Sequence, residues 1–184
     1  MPNIAKFSKA LHALHQVGMM KDHSAKNAVK EFIREATEDT HHHNSAHFRS
    51  KAATALIKEN LAFINSAAAY QKFCTRNLRH EHVVPCEVIY QLLLKEDLHT
   101  EQSIQNILTE FCCRATITRG EDEELNKAGY QFKMPHGFEI LGDAFYRDPF
   151  SRYKVIGLYE NLEPLVGTSW YSKDVTVVDT TTLW

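Results

Sequence analysis

Residues Arg79, His80, Glu81, His82, Val83, Val84 and Pro85 bring together the side chains of this chain best suited to chemistry. A carboxylate is a hard oxygen ligand that suits Mg²⁺ or Mn²⁺. An imidazole with its ordinary pKa of about 6.5 is mostly free base at neutral pH and can take a proton from water. Glu81 and His82 supply these two groups on adjacent residues. Metal-assisted hydrolysis asks for both: a cation that polarises the ester and stabilises the leaving oxygen, and a base that activates water, a few ångströms apart on a rigid support. Adjacent residues on a strand point to opposite faces. Glu81 and His82 can therefore face one site only where the strand ends and twists, and Pro85 stands where such an end would be.

The elements around this segment read as follows. Residues 80–84 are short, β-branched at the end and stopped by Pro85, as a strand would be. Upstream, Ile4, Phe7, Leu11, Leu14 and Val17 recur at steps of three and four, which predicts a helix with one apolar face. Ser24 can cap a second helix that buries Ala28, Val29, Phe32 and Ile33. Residues 37–44 are polar and predict a loop. Residues 45–73 carry a third helical pattern, with Asn60 or Asn65-Ser66 as possible breaks. Downstream, residues 86–95 return to helical spacing, and Thr100 can cap a helix bearing Ile104, Ile107, Leu108 and Phe111. Residues 114–118 predict a second strand. Residues 120–127 are acidic and helical, with Gly129 suited to the position just past the end. Residues 175–183, rich in Val and Thr, predict a last strand.

Glu81-His82-Val83-Val84-Pro85 resembles the first signature of the HNH (ββα-metal) endonuclease superfamily, in which an acidic residue or histidine is followed by His, an aliphatic residue, any residue and Pro. The resemblance implies that Glu81 is a metal ligand and His82 the general base. The family's second strand runs into a helix that carries the other metal ligand, and residues 115–125 resemble that passage. His or Asn is usual at that position. Here only acids are on offer, and Asp122 takes the role, with Glu121 and Glu123 as the adjacent alternatives. The central Asn of the family name has Asn106 as its candidate. The resemblance spans residues 76–130. It implies cleavage of nucleic-acid phosphodiesters, DNA before RNA, with one Mg²⁺ or Mn²⁺ on Glu81 and Asp122 and the phosphate steadied by Arg79 or Arg119, whose planar forks match phosphate oxygens.

Other features carry less chemistry. His41, His42 and His43 read as a solvated loop, since three consecutive residues do not easily turn to one ion. Negative charge at residues 121–124 also stabilises a helix start through the macrodipole, with no metal needed. Cys74, Cys86, Cys112 and Cys113 form no CxxC pair, so a zinc ribbon is not expected. Cys112 and Cys113 read as core packing in a reducing, cytoplasmic setting. Arg49, Arg76, Arg114, Arg147 and Arg152 read as surface charges, and Tyr146, Tyr153, Trp170 and Tyr171 as packing residues. The first twenty residues have no apolar run of signal-peptide type, and no stretch approaches the roughly 18 apolar residues that cross a bilayer. The net charge of -2 speaks against a uniformly basic nucleic-acid binder, but leaves room for a basic cleft.

The resulting expectation is a mostly helical α+β chain with a small ββα-metal-type unit that carries a helical insertion. A helical region over residues 1–75 packs on an HNH-like core with a C-terminal extension over 76–184, as one compact unit. The function expected is a metal-dependent endonuclease. The alternatives are a non-catalytic helical interaction or regulatory protein that retains a degenerate HNH-like core, and a zinc-binding structural module built on His80, His82 and a cysteine.

Overall fold

The computed structural model describes residues 2–37, 47–95 and 100–164. Eight α-helices and four short strands run through them: α1 (Pro2–Gln16), α2 (His23–Thr37), β1 (Phe48–Ser50), α3 (Lys51–Asn60), α4 (Ala67–Asn77), β2 (Leu78–His82), α5 (Cys86–Lys95), α6 (Glu101–Phe111), β3 (Arg114–Thr118), α7 (Arg119–Lys127), α8 (Ser151–Val155) and β4 (Leu162–Pro164). The strands form one sheet in the order β2-β3-β1-β4, with β3 antiparallel to β2 and parallel to β1, and β4 antiparallel to β1. The protein is a mostly helical α+β chain.

Apolar spacing sorts these elements into three clusters. The largest is purely helical at its centre, with Leu11 of α1, Val29 and Ile33 of α2, Ile89 and Leu93 of α5, and Ile104, Leu108 and Phe111 of α6 all buried. Helices from both sides of residue 75 thus share one core, and each fully buried Leu or Ile contributes about 1.5–3 kcal/mol. A polar tie fastens its rim: the Glu87 carboxylate accepts from Lys26 Nζ at 2.9 Å and Lys30 Nζ at 3.0 Å. The second cluster joins α3 and α4 to the start of β2 through Ala53, Ile57, Tyr70, Cys74 and Leu78. The third sits on the other side of the sheet and holds Ala115, Ile117, Leu125 of α7, Tyr153 of α8 and Leu158.

Caps set several of the boundaries. Thr100 Oγ1 accepts from the Ser103 amide at 3.1 Å and opens α6. Thr118 and Glu121 form a reciprocal capping box at α7, with Glu121 N to Thr118 Oγ1 at 3.2 Å and Thr118 N to Glu121 Oε2 at 2.7 Å. Gly129 lies just beyond α7 with φ of 81°, a conformation that favours glycine.

Three expectations differ from what is found. Asp22, not Ser24, caps α2, its carboxylate accepting from the Ser24 amide at 2.8 Å. Residues 48–50 are a strand rather than the start of a helix. Phe48 pairs with Ala115 and meets Phe150 edge-on at 4.9 Å, so tertiary pairing overrides the helical spacing, and Ser50 caps α3 by accepting from Ala53 N at 3.0 Å. Beyond Asn60 the helical pattern breaks at a 3₁₀ turn and restarts at α4, capped by Ser66. Residues 38–44, with His41, His42 and His43, and the strand expected at 175–183 lie outside the described residues, as do Trp170 and Tyr171. Cys112 lies in the helical cluster and Cys113 against the third, so the adjacent thiols serve two different cores.

Candidate functional site

Strands β2 and β3 pair antiparallel over five residues, α5 and α6 lie between them in the chain, and α7 follows β3 without a gap. The segment is thus a ββα arrangement with a helical insertion. The register sets Leu78 against Thr118, Arg79 against Ile117, His80 against Thr116, Glu81 against Ala115 and His82 against Arg114. Directly paired residues share a face, and alternate residues change face. Arg79, Glu81, Ala115 and Ile117 therefore look toward α7 and α8. His80, His82, Arg114 and Thr116 look toward the opposite side, where Arg49, level with Thr116 on β1, joins them.

The α7 face is built around a buried guanidinium. Arg152, on α8, is 0% exposed. Its Nε donates to the Val83 carbonyl at 2.8 Å and its Nη1 to the Tyr130 carbonyl at 2.8 Å. Its Nη2 donates to Glu81 Oε2 at 3.1 Å and, more closely, to the His82 carbonyl. One side chain thereby fastens the end of β2, the loop after α7 and the Glu81 carboxylate. Burial raises the Glu81 pKa above its ordinary value. Arg152 opposes that shift and the Asp122 charge adds to it, so burial outweighs the ion pair. Asp122 stands in the first turn of α7, its Oδ2 3.6 Å from Arg79 Nε.

At the rim of this face the Thr75 carbonyl, in the last turn of α4, receives two guanidinium groups. Arg119 Nη2 donates to it at 3.1 Å and Arg79 Nη1 at 3.5 Å. Helix C-terminal carbonyls carry partial negative charge and attract cations. Glu121 is not free for a ligand role: it closes the capping box and accepts from Ser50 Oγ at 2.7 Å. Glu123 is exposed.

The opposite face is cationic and short of hydrogen bonds. His80 Nδ1 lies 2.9 Å from Thr116 Oγ1, and the tautomer decides which group donates. His80 Nε2 and His82 Nδ1 are buried with no hydrogen-bond partner among the described residues. Burial, and then the Arg114 charge, push His80 down to about 4 and His82 down to about 3, so both rings are neutral at physiological pH. Arg49 is itself pushed down to about 10 by burial.

The residues singled out in the sequence are thus divided. Glu81 and Asp122 come together, and Arg79 and Arg119 meet beside them. His82 does not join them: the antiparallel ladder continues past it, with Val83 N bonded to the Cys113 carbonyl at 2.9 Å, so the strand does not twist off before Pro85. Asn106 is exposed on α6 and accepts from Gln102 Nε2 at 2.9 Å. Arg152, read from the sequence as a surface charge, is the organising residue of the site. The available signal was a cation set between Phe150 and Tyr153, in a short stretch otherwise suited to burial.

The carboxylates fit a hard divalent cation in chemistry. Each has one oxygen engaged, Glu81 Oε2 with Arg152 and Asp122 Oδ2 with Arg79, and the second oxygen of each makes no hydrogen bond or ion pair among the described residues. Mg²⁺ typically takes one or two carboxylates and fills its sphere with water and substrate phosphate. A three-ligand group of His, Cys, Asp or Glu is not found among the described residues, and no helix there is long and apolar enough to cross a membrane. Searches with protein-family models, among curated proteins and among solved structures find no match to the chain.

Proposed function

We propose that the chain is a metal-dependent endonuclease that hydrolyses phosphodiester bonds, with DNA as the favoured substrate. The observation that carries this reading is the meeting of the Glu81 and Asp122 carboxylates on the α7 face beside two guanidinium groups, Arg79 and Arg119, gathered on one carbonyl. Glu81 and Asp122 would hold the cation through their second oxygens. A bound Mg²⁺ or Mn²⁺ would supply charge to polarise the phosphoryl oxygen and steady the departing one. Arg79 and Arg119 fit the remaining phosphate oxygens, for which a planar fork is the matching donor. Arg152 keeps the Glu81 carboxylate aimed. A base role for His82 requires its ring to cross from the opposite face, which makes His82 the residue on which the detailed mechanism is most open to test.

A second reading is a non-catalytic interaction protein built on a degenerate core of this type. The position of His82, and the guanidinium partner on each carboxylate, favour it. The two are separated by nicking of supercoiled plasmid with Mg²⁺ or Mn²⁺, using wild type, Glu81→Gln, Asp122→Asn and His82→Ala. The nuclease reading expects cation-dependent nicking that falls at least 100-fold in Glu81→Gln and Asp122→Asn. Equal activity in wild type and Glu81→Gln would leave the interaction protein as the better account. A loss in the carboxylate variants with full activity in His82→Ala would keep the nuclease and remove His82 from its mechanism.

A further inference from the structure

Between Asn60 and His80 the chain contains no Asp or Glu, yet it carries Lys72, Arg76 and Arg79 at steps of four and three. That spacing is one stripe of a helix. Tyr70 and Cys74 bury the other side of α4 against the second cluster, and Lys72, Thr75 and Arg76 are exposed. Arg119 reaches the same place from α7 through its bond to the Thr75 carbonyl at 3.1 Å. Lys72, Arg76 and Arg119 make no ion pair among the described residues, and Arg79 makes only its 3.6 Å contact with Asp122. The exposed acid nearest in sequence to Arg119 is Glu123, one turn further along α7. In a chain of net charge -2, such a concentration of unpaired cations beside the carboxylates is a local departure from the whole.

We infer that the exposed stripe of α4, Lys72 and Arg76, continued by Arg79 and Arg119, is the surface that carries the backbone of duplex DNA to the carboxylate site. The inference rests on the nuclease reading for its direction, since the stripe leads to Glu81 and Asp122. A helix advances about 6 Å over four residues, and B-DNA carries one charge per roughly 1.7 Å of its axis, so a stripe of this length meets several phosphates. Contacts of this kind position the duplex and read no sequence. An acidic polypeptide is the competing partner of the same charge, and the experiment below includes it.

The test measures binding of a fluorescein-labelled 30-base-pair duplex to the full chain in EDTA, over a range of salt. The variant Lys72→Gln/Arg76→Gln removes two exposed cations. Lys9→Gln/Lys21→Gln removes two exposed cations elsewhere and controls for net charge. The stripe variant should lose at least 10-fold in affinity at low salt, and its slope of log K against log salt should become shallower by about 1.8, at about 0.9 per lost phosphate contact. The control should stay within twofold of wild type, and all three proteins should melt at the same temperature. A stripe variant that binds like the control overturns the inference, as does polyglutamate that competes as well as unlabelled duplex. The same proteins in the Mn²⁺ nicking assay keep the two claims apart. Glu81→Gln should bind the duplex in EDTA but not nick, and the stripe variant should raise KM with little change in kcat. Wild type that binds through the stripe but never nicks would end the nuclease reading and leave the DNA surface. Nicking with an unaltered KM in the stripe variant would end the inference and leave the nuclease.

Discussion

The two faces of β2 treat ionisable groups in contrasting ways. On the α7 side, Glu81 is buried but given a full partner in Arg152, and every donor around it ends on a carbonyl or a carboxylate. On the other side, His80 and His82 are buried beside Arg49 and Arg114, with one ring nitrogen of each lacking a hydrogen bond among the described residues. Burial favours the neutral form on both faces, and the sign of its effect on stability is opposite. Glu81 takes up its proton more readily when folded, so acid helps the fold at that residue. His80 and His82 take up theirs less readily when folded, so acid opposes it. One strand of five residues therefore separates two environments that a linear motif runs together.

The largest effect should come from removing the partnered guanidinium. Arg152→Met leaves the Glu81 carboxylate and three carbonyls in a buried place without their donor. Loss of one member of a buried pair costs about 3–5 kcal/mol, which urea denaturation would read directly. A cost below about 1 kcal/mol would show that water replaces Arg152 and that the contrast between the faces is shallow.

Acid should act next, through the imidazole face. The folded values of about 4 and 3 lie below the ordinary 6.5 of a histidine. The contribution is thus complete above pH 6.5 and is lost as pH falls from there through 4 toward 3. His82→Leu should lessen the loss of stability between pH 6.5 and 4.5 by about 2 kcal/mol, from 1.36 kcal/mol per unit. Parallel pH profiles in the two proteins would mean that His82 protonates freely in the folded state. A smaller cost, about 1 kcal/mol, is expected for Thr118→Ala, which opens the capping box of α7. Amide exchange in residues 119–122 should quicken with it. Arg79→Gln should come last for stability, below about 0.5 kcal/mol, because its ion pair with Asp122 is long and partly exposed. A larger loss would make Arg79 part of the folded framework rather than a rim group open to a ligand.

Legibility followed sequence distance. The helical core could be read from the spacing of residues such as Ile4, Phe7 and Leu11 or Ile104, Ile107 and Leu108, because period and burial agree locally. The capping pair Thr118 and Glu121 lies three residues apart and could be read from the same rule that found Thr100. The approach of Asp122 to Glu81 follows from chain order alone, once β2, β3 and α7 are recognised. Strand alternation already forbade Glu81 and His82 a common face. Only an early exit at Pro85 would have joined them, and the bond of Val83 to Cys113 keeps the ladder going. Arg152 was out of reach for a different reason. Its partners lie 69 to 71 residues earlier in the chain, and no local pattern marks a cation that will be buried by so distant a neighbour. Strand β1, three residues long, is too short for a period of two to stand out.

That separation along the chain has a consequence for biosynthesis. Ribosomes add about 5–20 residues per second, so the end of β2 leaves the peptidyl-transferase centre roughly 4 to 14 s before Arg152 is added. During that interval Glu81 has neither its donor nor, until β3 follows, a neighbouring strand. Helices α1 and α2 likewise wait for α5 and α6 before their apolar faces can close. The nascent protein thus passes through a period in which its carboxylate pair is present in the chain but not yet assembled. The last charged side chain of α8 to arrive at the buried end of β2 is the one that completes it.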